Sequence, residues 1–303
     1  MVETIDLFID RSGALATQKI LIVGCGDIGS ALGQNLAIAG NEVWGLRRTA
    51  QLPFPLKTIT ADVSKPETLG PIAQQSFDYV VVILTPDSST DEAYHSVYVD
   101  GLRNVLTQLR RGNPIKRLLF VSSTSVYHQN SGEWVDEASV VAPQKYNGKR
   151  LLEAELLLAD SGVEYTIVRF AGIYGSGRRR LIDQVRAGRG CARTPVSYTN
   201  RIHRDDCVGF LQYLIFLSQR KETPVELLYI GVDCEPAPMW DVRCWLASAM
   251  DIDYSHWDAV ASAVGGVNAG TGKRCSNQRL LASGYQLRYP NYRLGYAESP
   301  TSL

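Results

Sequence analysis

The feature that most constrains this chain is the stretch Lys19-Ile-Leu-Ile-Val-Gly24-Cys-Gly26-Asp27-Ile28-Gly29-Ser30, where an uninterrupted apolar run ends in glycines spaced G-x-G-x-x-G. Ile20, Leu21, Ile22 and Val23 favour a strand buried on both faces, as in a parallel sheet. Each glycine has a physical task in the turn that follows. Gly24 permits a sharp exit from the strand, Gly26 leaves the backbone bare where a phosphate must approach, and Gly29 lets the next helix pack against the sheet. Asp27 and Ile28 open that helix, whose free N–H groups and dipole attract an anion. Ile28, Leu32, Leu36 and Ala39 then recur near helical spacing until Gly40 stops the pattern. Strand, turn and helix in this order predict a dinucleotide site; glycines alone would also suit an ordinary turn.

The same alternation continues. Apolar runs at 42–46, 56–59, 77–84, 118–121, 163–168 and 226–230 read as strands, and helical patterns fall near 65, over 91–111, from 146, over 178–189 and over 239–250. This predicts an α/β Rossmann architecture: a right-handed, doubly wound parallel sheet with helices on both faces and a small C-terminal substrate-binding subdomain. The expected divisions are 1–18 as an N-terminal arm and 19–175 as the NAD(P)-binding domain. Residues 176–303 form mainly the subdomain, with 202–230 returning to the sheet. The segment through Trp134, Asp136 and Glu137 reads as a loop, and 265–272 as a flexible bend.

The second predicted strand runs into Arg47 and Arg48, where an NAD site would place a carboxylate for the adenosine ribose. Guanidinium groups fork onto phosphate oxygens, so these residues favour NADP, with NAD possible; two solvated loop arginines are the plainer reading. Asp62, beside Val63, either meets the adenine or caps the next helix. Leu84 and Thr85 end the fourth strand, and a cofactor passes over such carboxyl ends.

Lys plus Arg and Asp plus Glu balance at 31 each, so bulk charge gives no reason to expect nucleic acid or an acidic membrane as a partner. Six cysteines lie far apart without a C-x-x-C pair, which argues against a metal site or a disulfide framework. Glu3, Asp6 and Asp10 interrupt any secretory signal, and nowhere do about 18 apolar residues run together. A cytoplasmic protein with a small-molecule substrate is the expectation. Gly272-Lys273-Arg274 lacks the register and the hydroxyl of a P-loop.

Taken as a set, Gly24-x-Gly26-x-x-Gly29, Ser122-Ser123-Thr124-Ser125-Val126-Tyr127, Tyr146 at a helix start, Arg169-Phe-Ala-Gly-Ile-Tyr-Gly-Ser-Gly177-Arg178 and Ile202-His203-Arg-Asp205-Asp206 resemble the extended short-chain dehydrogenase/reductases. That family includes the NAD-dependent epimerases and dehydratases. The Lys273 to Asn277 stretch and the Tyr289 to Tyr296 tail are similar to those of its YeeZ-like branch.

The resemblance implies Ser123 as the hydroxyl that holds a substrate oxygen and Tyr146 as the acid/base. A lysine one helical turn on would lower the phenol pKa and bind the nicotinamide ribose. Here Arg150 stands at that place and Lys149 one residue earlier. Either cation can share the tyrosine's helix face and attract its charged form, but arginine is no simple stand-in for lysine. Tyr98 occupies the place of a relay asparagine, and His128 that of a glycine. His203 reads as a buried loop histidine, and Arg178, Arg179 and Arg180 as a solvated face or as contacts for a substrate phosphate. Asp136 and Glu137 either touch substrate or stay wet. A homodimer through the helices at 91–111 and 146–160 would fit the family. The expectation is thus an NAD(P)-dependent oxidoreductase or epimerase acting on a hydroxyl or carbonyl, a sugar or sugar nucleotide among the candidates. The alternative is a catalytically silent NADP-binding redox sensor or regulator.

Overall fold

The apolar runs build the centre of the molecule. The computed structural model describes residues 17–49, 51–220, 224–257 and 272–298. The predicted arm over 1–18, save its last two residues, and the 265–272 bend, save Gly272, lie outside the described residues.

In chain order β1 (Lys19–Val23) leads through the glycine turn to α1 (Asp27–Ile38), then β2 (Glu42–Arg47), β3 (Lys57–Thr60), α2 (Gly70–Ala73) and β4 (Tyr79–Val82). A helix in three parts follows: α3 (Asp91–Tyr94), a π-helical turn (His95–Asp100) and α4 (Gly101–Leu109). Next come β5 (Arg117–Ser123), β6 (Ser131–Val135), α5 (Tyr146–Ala159), β7 (Tyr165–Phe170) and β8 (Ile173–Tyr174). The last third holds α6 (Arg180–Arg186), β9 (Tyr198–Thr199), β10 (Ile202–His203), α7 (Arg204–Leu217), β11 (Leu228–Gly231), β12 (Ala237–Pro238) and α8 (Met239–Ala249). It ends with β13 (Gly272–Cys275), α9 (Gln278–Ala282) and α10 (Tyr292–Ala297).

Seven strands form one sheet in the order β11-β7-β5-β4-β1-β2-β3, every neighbouring pair parallel. This is the predicted Rossmann α/β fold. Alternate residues of a strand face opposite sides, and the two sides have separate cores. Ile20 and Ile22 join Leu32 and Leu36 of α1 and Phe210, Leu211 and Leu214 of α7. Leu21 and Val23 join Leu102 and Leu106 of α4 and Leu151 and Leu158 of α5. A third cluster, with Ile182, Val185, Val242, Leu246, Trp257, Tyr292 and Tyr296, forms the small body of α6, α8 and α10. Fully buried Asp206 fastens the tail to α7, accepting hydrogen bonds from the N–H groups of Arg288 (2.8 Å) and Tyr289 (2.9 Å) and from the Tyr285 hydroxyl (3.2 Å).

Two readings need correction. The segment through Trp134 is a strand, not a loop: β6 pairs in parallel with β13, Ser131 opposite Gly272 and Val135 opposite Cys275. Its sequence concealed this because Ser131, Glu133 and Trp134 are exposed and no alternation of character shows. The helix expected over 178–189 is confined to Arg180–Arg186. Gly175 (φ +119°) and Gly177 (φ +77°) hold a left-handed turn before it, and Gly188 (φ +69°) closes it.

Candidate active site

The sheet order reverses beside β1, so a crevice opens beyond the carboxyl ends of β1 and β4. The glycine turn lies across it. Gly24 has φ +91°, and its N–H and that of Cys25 both donate to the Leu46 carbonyl at 3.1 Å. A Cβ on Gly24 would lie 2.0 Å from the Ile83 carbonyl oxygen, and one on Gly29 2.6 Å from the Gly24 oxygen, whereas one on Gly26 would meet nothing within 4 Å. The outer glycines are therefore required by packing, and the middle one is bare toward open space. Gly26 caps α1 without any side-chain hydrogen bond. Backbone N–H groups, an open approach and a helix dipole fit a dinucleotide pyrophosphate. Asp27 and Ile28 supply the first turn.

At the adenosine end, Arg47 closes β2 and Arg48 forks onto the Asp87 carboxylate, with Nη2 to Oδ1 at 2.6 Å. That guanidinium holds the Asp87 carboxyl below its usual range. Asp62 caps no helix. Its Oδ1 accepts from the Ser64 N–H (3.0 Å) and hydroxyl (2.8 Å), folding the turn before Pro66. Val63 packs where a side chain on Gly101 would come within 2.8 Å of it. The Leu84 carbonyl accepts from the Tyr98 hydroxyl at 3.1 Å, and Thr85 is exposed at the same strand end. Tyr98 sits in the π-helical turn, and burial pushes its pKa up.

At the chemical end, Ser123 finishes β5 and its Oγ accepts from the Ser125 N–H at 3.1 Å. The first turn of α5 presses on this serine turn, since a Cβ at Gly148 would lie 2.3 Å from the Ser125 carbonyl oxygen. Tyr146 thus starts its helix beside Ser123, yet the two share no hydrogen bond. The phenol donates to the Ser89 carbonyl in the segment after β4, and its ring meets Tyr94 edge-on at 5.4 Å. Arg150 is held by Asp91 (Nε to Oδ1 2.7 Å, Nη2 to Oδ2 3.0 Å) and by Glu153 (2.9 Å). Lys149 is exposed and makes no ion pair among the described residues.

Four polar groups behind Ser123 escaped sequence reasoning. Buried Arg169 pairs with buried Glu155 (Nε to Oε1 3.0 Å, Nη2 to Oε2 2.5 Å) and donates to the Tyr127 hydroxyl at 2.8 Å. The Ser122 hydroxyl also donates to Glu155, at 2.5 Å. A signal existed: a charge at the next-to-last position of the apolar strand Tyr165–Phe170 has no solvent to face. Glu137 does not stay wet; its side chain is buried. Its Oε1 accepts from the Ile230 N–H at 2.8 Å. Asp136 accepts from the Ala138 N–H and the Ser139 hydroxyl, closing a turn. His203 is buried, capping α7 through Nδ1, which accepts from the Asp205 N–H at 3.2 Å, with its ring on Tyr289 at 3.9 Å. Burial lowers its pKa, keeping the ring neutral. Arg178 lies before α6, half-exposed, and reaches Asp27 in the glycine turn at 3.1 Å.

The sequence from residue 24 to 206 matches the model of the NAD(P)H-binding family. A candidate NAD-dependent epimerase/dehydratase from Methylobacillus flagellatus is 41% identical, with 93% of this chain and 97% of that one covered and a TM-score of 0.77. At fold level alone, the Thermotoga maritima UDP-glucose 4-epimerase with UDP-glucose is similar (15% identity, 91% and 96% covered, TM-score 0.74). So is the Bordetella bronchiseptica enzyme WbmG in complex with NAD and UDP (16% identity, 95% of each chain, TM-score 0.74). No curated protein matches the chain. Among the described residues, no group of three or more His, Cys, Asp or Glu side chains could hold a metal ion, and no helix is long and apolar enough to cross a membrane.

Proposed function

From the premise that the chain belongs to the NAD(P)H-binding family of short-chain dehydrogenase/reductases and epimerase/dehydratases, we propose that it is a cytoplasmic oxidoreductase or epimerase. In this reading it prefers NADP to NAD and acts on a hydroxyl or carbonyl of a small molecule. The bound nicotinamide supplies a hydride donor or acceptor. The backbone of Gly24, Gly26, Asp27, Ile28 and Gly29 holds the pyrophosphate, and Arg47 and Arg48 the adenosine 2′-phosphate. Asp62, Val63, Leu84 and Thr85 border the nucleoside ends.

The observation that carries the enzymatic reading is the packing of the α5 start on the Ser123 turn through Gly148. It supports a reading in which a hydroxyl and a phenol act together beyond β5. Ser123 donates to the substrate oxygen, and Tyr146 takes or returns that oxygen's proton. Arg150 is already committed to Asp91 and Glu153, so Lys149, exposed in the first turn of α5, is the second cation for orienting the cofactor ribose. The silent-sensor alternative is not favoured, because a pure binder has no use for this pair.

UDP-glucose and other nucleotide sugars, after the ligands of the fold relatives, are the first substrates to test alongside simple carbonyls. NADPH fluorescence titration followed by turnover assays on that panel decides the reading. Tight NADPH binding with turnover supports it, and binding with no turnover on any member returns the sensor alternative.

A further inference from the structure

Two arginines from distant segments converge on the glycine turn. Arg178 Nε and Nη2 lie 3.1 Å from Asp27 Oδ2. Arg204 Nε lies 2.9 Å from Asp27 Oδ1, its Nη2 reaches the Asp27 carbonyl at 3.4 Å, and its Nη1 meets Asp205 at 2.9 Å. Neither arrival is accidental. Arg178 leaves a turn closed by its own N–H to the Gly175 carbonyl (3.0 Å), and Gly175 is held against His203, where a Cβ would lie 2.6 Å from Nε2. Arg204 is the first residue of α7, set in place by the His203 cap.

Asp27 is the first residue of α1, so its carboxylate stands where the pyrophosphate, an anion of like charge, must approach. Left alone it would oppose cofactor binding by Coulomb repulsion. The arginines offset it, and their donors are not used up. Arg178 spends only Nε and Nη2 on Asp27, leaving Nη1 without a partner among the described residues, and a guanidinium offers five N–H groups. Its side chain is 36% exposed and that of Arg204 22%, so solvent reaches both.

We infer that Arg178 and Arg204 are cofactor-binding residues, a guanidinium clamp on the pyrophosphate that Asp27 holds in position while the turn is empty. This rests on the dinucleotide reading of the glycine turn. When the cofactor binds, the two arginines exchange part of their Asp27 contact for phosphate oxygens, a charge-assisted and geometrically matched trade. Arg178 and Arg204 both follow Phe170 in the sequence, and α7, which Arg204 opens, shares one core with α1.

The test titrates NADPH and NADH against the full-length wild type, Arg178→Ala, Arg178→Lys, Arg204→Ala and Asp27→Asn, with thermal melts of each apo protein. Losing a charged contact to phosphate should raise Kd for both cofactors about tenfold in each alanine variant. Arg178→Lys should recover part of that loss, and Asp27→Asn should tighten binding several-fold. If the arginines only tether Asp27, the alanine variants and Asp27→Asn will lower the melting temperature alike and leave both Kd values at the wild-type level. That result overturns the inference. Wild type that binds neither cofactor overturns the underlying reading as well, and is told apart by occurring before any substitution.

Discussion

Glu155 on α5 and Arg169 on β7 face each other as a two-pronged ion pair, 2.5 and 3.0 Å long, with both side chains nearly closed to solvent. Ser122 and Tyr127 complete it from β5 and the turn after it. The pair therefore joins the helix that begins with Tyr146 to β7, and the Ser122 hydroxyl ties that helix to the strand that ends at Ser123. Removing one partner strands a buried charge, so Glu155→Ala should cost about 3–5 kcal/mol. The double variant Glu155→Leu/Arg169→Met should recover most of it, because an apolar pair of similar volume has no charge to desolvate. Urea melts of the three proteins check both statements.

The three glycines of the turn should separate folding from binding. Gly26→Ala adds a methyl that meets nothing within 4 Å, so its melting temperature should stay near wild type while NADPH affinity falls at least about tenfold. Gly24→Ala forces a Cβ onto the Ile83 carbonyl at φ +91° and should destabilise the whole chain. Paired calorimetric scans and NADPH titrations read the two effects independently.

Cofactor choice should turn on Arg48 and Asp87. Arg48→Ala should weaken NADPH about tenfold and leave NADH nearly unchanged, since only the 2′-phosphate is lost to it. Asp87→Asn frees the guanidinium from its present partner and should move the NADPH to NADH preference the other way. The ratio of the two Kd values is the measurement.

Tyr146→Phe should lower turnover about a hundredfold or more while keeping NADPH affinity, as expected when a proton carrier is removed and the cofactor site is spared. Single-turnover kinetics on an accepted substrate checks it; unchanged turnover would remove Tyr146 from the chemistry.

Asp233 gives a pH signature. It is 1% exposed, its Oδ2 has no partner among the described residues, and burial lifts its carboxyl to about 7 from an ordinary value near 3.8, against the pull of the Glu235 N–H and of Arg201. Between those values the folded state holds a proton that the unfolded chain has released. The contribution is intact below the lower value and is lost as pH rises through the higher one. Stability should therefore fall from about pH 4 to about pH 7, and Asp233→Asn should flatten that slope. Melting temperatures across the range supply the test.

The sheet was legible because parallel strands buried on both faces must be continuously apolar, and Ile20 to Val23, Tyr79 to Val82 and Leu118 to Val121 are. The glycine turn was legible because its requirements are local. What stayed hidden depends on residues far apart in the chain. β6 becomes a strand only when Gly272 to Cys275 lie beside it. Glu137 is buried by its bond to Ile230, and Arg178 meets Asp27 only through the turn at Gly175 and Gly177. Spacing along the sequence placed Arg150 beside Tyr146; the Asp91 carboxylate that claims it comes from another helix.

The parallel pairing of β6 with β13 imposes an order on the birth of the molecule. A chain leaving the ribosome has delivered all seven strands of the main sheet by Gly231, so the nucleotide half can collapse while synthesis continues. β6 cannot finish then, for its partner at Gly272 to Cys275 emerges only later. Until it arrives, Ser131 to Val135 offer open backbone donors and acceptors to any passing strand. A chain cut short before Gly272 would thus carry its turn for the dinucleotide together with an unpaired edge at Ser131 to Val135, the kind of product that chaperones and proteases sort from finished chains.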